Sequence, residues 1–302
     1  MTGDAAPPRT PEPASVRSGD GLLLRVISAA VLAPLAVAAA YAGGWPFALF
    51  WGAAAVAIAY EWLTLTGSGR PALATGLAAL LIAAALAVIG KAVLGAAMIA
   101  CGTVAVALIA AAAPRTSREA ALTAAWTAAW IAAGVLYAGA ALVPPVVLRA
   151  DTELGFTAII FLFAIVWTTD IAAYFVGRGI GGPRLWPAVS PNKTWSGALG
   201  GALGAVAAAC AVASIGLRTG YRANLFAIAG LALLLSAMSQ VGDLFESAVK
   251  RRFGVKDAGH VIPGHGGVMD RLDGFLAAAV VAAVIGIARG GLGAPARGLL
   301  VW

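Results

Sequence analysis

Apolar windows about 20 residues long, the length a helix needs to cross some 30 Å of hydrocarbon, recur along this chain and limit how it can fold. About nine can be counted: Leu22–Ala42, Pro46–Leu65, Ala72–Gly90, Val93–Ala113, Thr123–Val147, Phe156–Val176, Gly197–Leu217, Leu225–Val249 and Phe275–Ala288. They are continuous Ala/Leu/Val/Ile runs, whereas a membrane barrel needs shorter, alternating segments. The expected fold class is therefore an all-α, polytopic integral membrane protein with about nine transmembrane helices. Hydrophobic residues make up 61% of the 302, well above the ~45–50% of ordinary globular domains.

Lys and Arg placement gives the orientation, because short loops rich in these residues stay on the cytoplasmic side. With the N-terminus inside, Arg9, Arg17, Arg25, Arg70, Arg115, Arg118, Arg178, Arg184, Lys193, Lys250, Arg251, Arg252, Lys256 and Arg271 face the cytoplasm. Lys91, Arg149, Arg218, Arg222, Arg289 and Arg297 are left outside. That asymmetry supports N-in, C-out and an odd number of spans. The net charge of +7 sits in membrane loops rather than on a soluble basic face, which argues against nucleic acid and for the lipid bilayer, anionic lipid and nucleotide as partners. Cys101 and Cys210 lie inside expected helices without CxxC spacing and read as packing residues.

Residues 1–20 are rich in Pro, Ser, Gly and charge and read as a disordered cytoplasmic tail. The apolar run that follows is long for a cleavable signal. Residues 21–150 form a scaffold of Ala-rich helices with Glu61 as a rare polar exception; residues 151–290 carry the chemistry, and 291–302 are a short tail. Pro144 and Pro145 are expected to kink or end the fifth helix. In the seventh, Gly197/Gly201 and Gly200/Gly204 form two overlapping GxxxG spacings that favour close helix packing. Gly177, Gly179 and Gly182 match GxGxxG, but after a membrane helix and with no βαβ unit around them.

The charged run from Ser247 to Asp273, SAVKRRFGVKDAGHVIPGHGGVMDRLD, lies between two apolar stretches and holds both histidines, His260 and His265. Just before and within it, Asp243 and Glu246 share a helical face with Ser239 and Lys250, because residues three or four apart lie together. A carboxylate at the bilayer centre costs about 2.5–3.5 kcal/mol, so a cation or a wet cavity is expected beside each. Asp270 and Asp273 open the last helix, where the dipole favours acids. If the two helix ends converge, Asp243 and Asp270 offer hard oxygen ligands suited to Mg2+ holding phosphates and water. The Pro263–Gly267 turn, PGHGG, exposes backbone N–H groups for a phosphate before a helix start. His265 has no His or Cys neighbour, so zinc is disfavoured and a hydrogen bond to phosphate is its expected task. Asp170 sits mid-helix in WTTDIAAYFVGR and counts as a functional candidate for that reason. The loop ending in SPNKTW supplies Ser190, Asn192 and Thr194 as short hydrogen-bonding groups and Lys193 as a point charge for phosphate.

These residues resemble the phosphatidate cytidylyltransferase family, also called CDP-diglyceride synthases. The family pattern is matched by Ser247, Lys250, Arg251, Lys256, Asp257, Pro263, His265, Gly266, Gly267, Asp270, Arg271 and Asp273; DIAAYFVG, SPNKTW and Gly242–Ser247 follow in the family's order. The likeness covers roughly the C-terminal half. One departure is Ser196, where many relatives carry an acid after KTW. The resemblance implies an enzyme of phospholipid biosynthesis that converts CTP and phosphatidate to CDP-diacylglycerol and pyrophosphate with Mg2+, in a bacterial cytoplasmic (inner) membrane with the site facing the cytoplasm. Asp243 and Asp270 are then the expected metal ligands, with Asp273, Glu246 and Asp170 in support and Lys250 among the catalytic groups. Lys193, Lys250, Arg251, Lys256 and Arg271 are the expected phosphate-binding residues; Ser190, Asn192, Thr194 and Ser247 orient nucleotide or headgroup. His265, Gly266 and Gly267 complete the substrate contacts. Oligomeric state stays open, a homodimer included. Two other readings compete: a CTP-dependent lipid kinase, and an ion-coupled transporter using Asp170 and Asp243, for which paired repeats are missing.

Overall fold

A computed structural model describes residues 18–67, 117–217, 220–259, 261–262 and 266–302. It is mostly helical: α1 (Ser18–Ala42), α2 (Gly44–Leu65), α3 (Arg118–Arg149), α4 (Gly155–Ile180), a hairpin of β1 (Arg184–Trp186) and β2 (Ser190–Thr194), α5 (Trp195–Gly216), α6 (Leu225–Arg252), α7 (Met269–Gly290) and the short α8 (Pro295–Leu300). Among the described residues six helices, α2 to α7, are long and apolar enough to cross a membrane. They coincide with six of the expected windows. The first expected window, Leu22–Ala42, lies within α1. The windows at 72–90 and 93–113 lie outside the described residues, as do most of the N-terminal tail, Cys101, His260, Pro263, Gly264 and His265.

Long helices are the solution lipid demands, since every backbone polar group must be satisfied within the segment. The ends are closed by short polar side chains. Ser117 accepts the N–H of Ala120 at 3.2 Å, Thr194 that of Gly197 at 3.1 Å and Asn224 that of Ala227 at 3.3 Å. Gly181, at φ +67°, closes α4 in a backbone conformation other residues avoid. Of the two outcomes expected at the tandem prolines, ending the helix does not occur: α3 runs through Pro144 and Pro145 to Arg149. Each removes one N–H from the helical ladder, yet the turn beyond them is kept, the N–H of Ala150 reaching the carbonyl of Val146 at 3.0 Å.

Helix α5 lies against α4 along its glycines. A Cβ added to Gly197 would stand 2.8 Å from the Ala173 carbonyl oxygen, and one on Gly201 would stand 2.8 Å from that of Thr169. The GxxxG spacings are therefore packing devices that bring two backbones together. The outward face of α5 leaves Leu199, Leu203 and Ile215 exposed, as suits lipid rather than water. Buried polar ties add register: the Thr169 and Ser236 hydroxyls meet at 2.8 Å between α4 and α6. Helices α6 and α7 approach at Gly242 and Gly274, where an added Cβ would stand 2.6 Å from Asp273 O and from Ser239 Oγ respectively. The convergence anticipated between the end of α6 and the start of α7 is thus present, and it brings the carboxylates of both helices to one end of the bundle.

Two elements had no counterpart in the sequence reading. The hairpin is antiparallel, with Arg184 opposite Thr194 and Trp186 opposite Ser190, and it joins α4 to α5. The tail of residues 291–302 instead forms α8, packed back on α7, where Arg289 donates to the carbonyls of Gly298 at 2.5 Å and Val301 at 3.0 Å.

Candidate active site

A cavity of about 1530 Å³ opens where α4 and α6 end and α7 begins. Its charged wall is lined by Asp170, Lys193, Asp243, Lys250, Asp270, Arg271 and Asp273, with Asn192, Thr194 and Glu246 beside them. An apolar arm extends between α1, α2 and α4 past Leu32, Leu35, Phe50, Trp51, Phe163 and Trp167. One space therefore joins a charged wall to an apolar slot.

The end of α6 and the start of α7 are locked by a partly buried lysine. Lys250 Nζ lies 2.8 Å from Glu246 Oε2 and 2.7 Å from Asp270 Oδ1, and its side chain is 12% exposed. Asp270 also accepts the backbone N–H of Ala258, at 3.2 Å and 3.1 Å to its two oxygens, and that of Gly267 at 2.9 Å. It thus draws together the loop that leads into α7. Glu246 keeps one carboxylate oxygen, Oε1, buried and without a hydrogen-bond partner among the described residues. Nearby, Lys193 at the hairpin's end forms an ion pair with Asp243 Oδ2, both side chains partly exposed to the cavity. Asp243, Asp170 and Asp273 lie in one another's electrostatic field, with Lys193 as the shared countercharge.

Other anticipated residues fall elsewhere. Thr194 uses its hydroxyl to cap α5, although it also borders the cavity. Ser190 pairs across the hairpin, and it, Ser247, Arg251 and Lys256 are not among the cavity-lining residues. Arg251 and Lys256 are exposed, Arg251 reaching the carbonyl of Val255 at 3.3 Å. Gly266, at φ +83°, forms a bridge with Ile262, while Gly267 is buried against the Glu61 and Asp270 carboxylates. His265 lies outside the described residues. Arg178 and Arg184 line the cavity without having been singled out; their clustering around the hairpin was the available signal. Ser196, at the point of departure from the family pattern, donates to the Gly181 carbonyl and meets the Thr194 hydroxyl at 3.0 Å, bracing the hairpin.

The donor set can be judged for a hard divalent cation. Among the described residues no group of three or more His, Cys, Asp or Glu side chains is arranged to hold a metal. Mg2+ does not need such a cage, because it commonly takes one or two carboxylates and fills its shell with water and substrate phosphate. Asp243 and Asp273 line the cavity and fit that requirement, Asp243 pairing with Lys193 through Oδ2 and Asp273 accepting the Gly274 N–H on Oδ1 at 2.7 Å. Asp270 fits less well, since both its oxygens already accept protein hydrogens.

A bundle of apolar helices with charges gathered round one cavity is the architecture of a multi-pass membrane protein. The chain belongs to the cytidylyltransferase family, whose model matches residues 23–287. It is similar to the phosphatidate cytidylyltransferase of Brucella suis biovar 1 (strain 1330), with 43% identity over 267 residues, 88% of this chain and 93% of that protein. The phosphatidate cytidylyltransferase of Brucella abortus biovar 1 (strain 9-941) is 42% identical over the same shares. That of Staphylococcus aureus (strain COL) is 43% identical over 122 residues, 40% of this chain and 46% of that protein. The likeness therefore extends well beyond the C-terminal half in which the motifs were read, and takes in the N-terminal helices as well.

Proposed function

We propose that this chain transfers CMP from CTP to phosphatidate, forming CDP-diacylglycerol and pyrophosphate for phospholipid synthesis. The observation that carries the reading is the 43% identity to the Brucella suis phosphatidate cytidylyltransferase across 88% of the chain. The cavity agrees with it, because a phospholipid substrate needs a charged wall for its headgroup and an apolar arm for its acyl chains.

The chemistry asks little of a general base. The second ionisation of a phosphomonoester has a pKa near 6, so at neutral pH the phosphatidate oxygen is already an anion. That oxygen attacks the α-phosphorus of CTP, the bond between the α-phosphorus and the bridging oxygen breaks, and pyrophosphate leaves with the electron pair. The obstacle is the repulsion of two polyanions, and the lysines and arginine on the wall answer it. Lys193 and Arg271 face the cavity and bind phosphate oxygens; Lys250, tied to Glu246 and Asp270, holds the α6–α7 junction in place and adds positive potential. Mg2+ bound to Asp243, with Asp273 better placed than Asp270 as second carboxylate, would neutralise phosphate charge and stabilise the departing pyrophosphate. In the membrane we place nine spans with the N-terminus inside and the C-terminus outside, so that the cavity's charged end faces the cytoplasm of a bacterial inner membrane, supported by the Lys/Arg distribution.

Labelled CTP tests the reaction. The purified chain in detergent with phosphatidate and Mg2+ is given CTP labelled separately at the α and γ phosphates. Transfer of α label alone to lipid is the expected result; γ label would establish a lipid kinase instead, and no transfer of either would sink the reading.

A further inference from the structure

Glu61 is a buried acid to which the reaction gives no task. It lies on α2, in the half of the chain read as scaffold, and is 1% exposed. Its Oε1 accepts the N–H of Val268 at 2.8 Å and its Oε2 that of Met269 at 2.8 Å. Those donors are on the N-cap and the first residue of α7, where the helix has no carbonyls to offer them and where its dipole favours an anion. A capping box would meet the N-cap donor from a Glu or Gln three residues on, but that place holds Arg271. Val268 makes no side-chain cap of its own, and its N–H is met from 207 residues away.

The same carboxylate presses on the loop before α7. A Cβ on Gly259 would stand 2.9 Å from Glu61 Oε1, and one on Gly267 would stand 2.8 Å from Glu61 Oε2 and 3.0 Å from Asp270 Oδ2. Glu61 and Asp270 therefore hold one loop from opposite sides: Glu61 takes the N–H groups of Val268 and Met269, and Asp270 those of Ala258 and Gly267. Helix α2 is itself fixed at this point. The neighbouring Trp62 donates from its indole to the Trp130 carbonyl on α3 at 2.9 Å, and its ring lies 5.1 Å from that of Tyr137.

We infer that Glu61 is a positioning residue for nucleotidyl transfer, setting the angle and register at which α7 presents Asp270, Arg271 and Asp273 to the cavity. The inference rests on the function proposed above. It gives the N-terminal half a direct hold on the site, through one side chain rather than through general packing.

The test uses the full chain in detergent and compares Glu61→Gln, Glu61→Asp and, as a control at the other end of the bundle, Asp151→Asn. Glutamine keeps the shape but turns an amide NH2 toward one of the two backbone donors. Misplacement of about 1 Å can cost on the order of 100-fold in rate. The expected result is a fall in kcat of about 10- to 100-fold for Glu61→Gln, with KM for CTP and phosphatidate within about three-fold of wild type. Glu61→Asp, which keeps the charge but is one methylene short, is expected to recover part of that loss. Asp151→Asn lowers the unfolding midpoint and leaves kcat per folded molecule unchanged. The idea is overturned if Glu61→Gln keeps wild-type kcat per folded molecule, or loses activity only in step with its folded fraction. Hydrogen exchange gives a second reading that does not depend on the reaction. Faster exchange at Ala258 and Gly267, whose N–H groups bind Asp270 and not Glu61, supports positioning; unchanged protection there in Glu61→Gln overturns it even if wild type transfers no label.

Discussion

Glu61 and Asp151 are both buried acids that accept backbone N–H groups at helix starts, yet they serve opposite ends of the bundle, and those ends are built differently. Asp151 Oδ1 accepts from Glu153 and Leu154 at 3.0 Å each, capping α4, and Oδ2 accepts from the N–H of Arg297 at 3.0 Å, which ties down α8. Around it the charges close on protein: Arg149 donates to the carbonyls of Ala40 at 2.5 Å and Tyr41 at 3.1 Å, and Tyr221 to Glu153 at 2.5 Å. At the Glu61 end the acids and bases instead face one cavity, and carboxylates outnumber the lysines that pair with them. A buried acid is thus no sign of chemistry by itself. What separates the two ends is what the tied helix carries: α7 presents charged side chains to a cavity, whereas α8 and the start of α4 close on protein.

Removing charge at the cavity should have the largest effect. Asp243→Asn is expected to lower transfer by at least about 100-fold and to shift the Mg2+ concentration for half-maximal rate, because it removes an anionic ligand at the point of charge stabilisation. A variant with wild-type rate and Mg2+ dependence would remove Asp243 from the metal assignment. Next comes Lys250→Met, which leaves Glu246 and Asp270 buried without their cation. Breaking such a pair from one side costs about 3–5 kcal/mol, so denaturant unfolding should show a large loss of stability along with lost activity. Retention of both would mean that the lysine is dispensable.

The opposite end should respond in stability alone. Asp151→Asn leaves the N–H of Arg297 facing an amide and is expected to cost about 1–3 kcal/mol, measured by thermal unfolding in detergent, with normal kcat per folded molecule. A selective loss of kcat would erase the contrast between the two ends. The smallest effect concerns Tyr221, half-buried between α5 and α6. Its hydrogen bond to Glu153 holds the phenol above its ordinary value of 10, burial adding to the rise. A raised folded pKa means that the contribution is fully present below the unfolded value and is lost as pH climbs through the folded one. Ultraviolet titration should show a phenolate that forms late, and Glu153→Gln should bring it back toward the ordinary value.

Much of the frame was legible in residues alone. Spans such as Phe156–Val176 and Leu225–Val249 fall within α4 and α6, because lipid leaves few alternatives to a helix. The paired glycines of α5 and the acids of α6 and α7 were equally plain. The β1–β2 hairpin was not, since a strand of three residues carries too little pattern to register. Glu61 was visible as the lone acid of an apolar helix, a signal that names a candidate but not its partner.

The sequence by itself determined that this chain must be a helical membrane protein and which side chains were costly enough in lipid to demand a reason, because hydropathy and charge are local properties with a steep energetic scale. Only the tertiary structure decided which of those side chains meet. Lys250 between Glu246 and Asp270, Lys193 against Asp243, and Glu61 at the start of α7 depend on how distant helices pack, and packing is fixed by contacts whose spacing along the chain leaves no periodic trace.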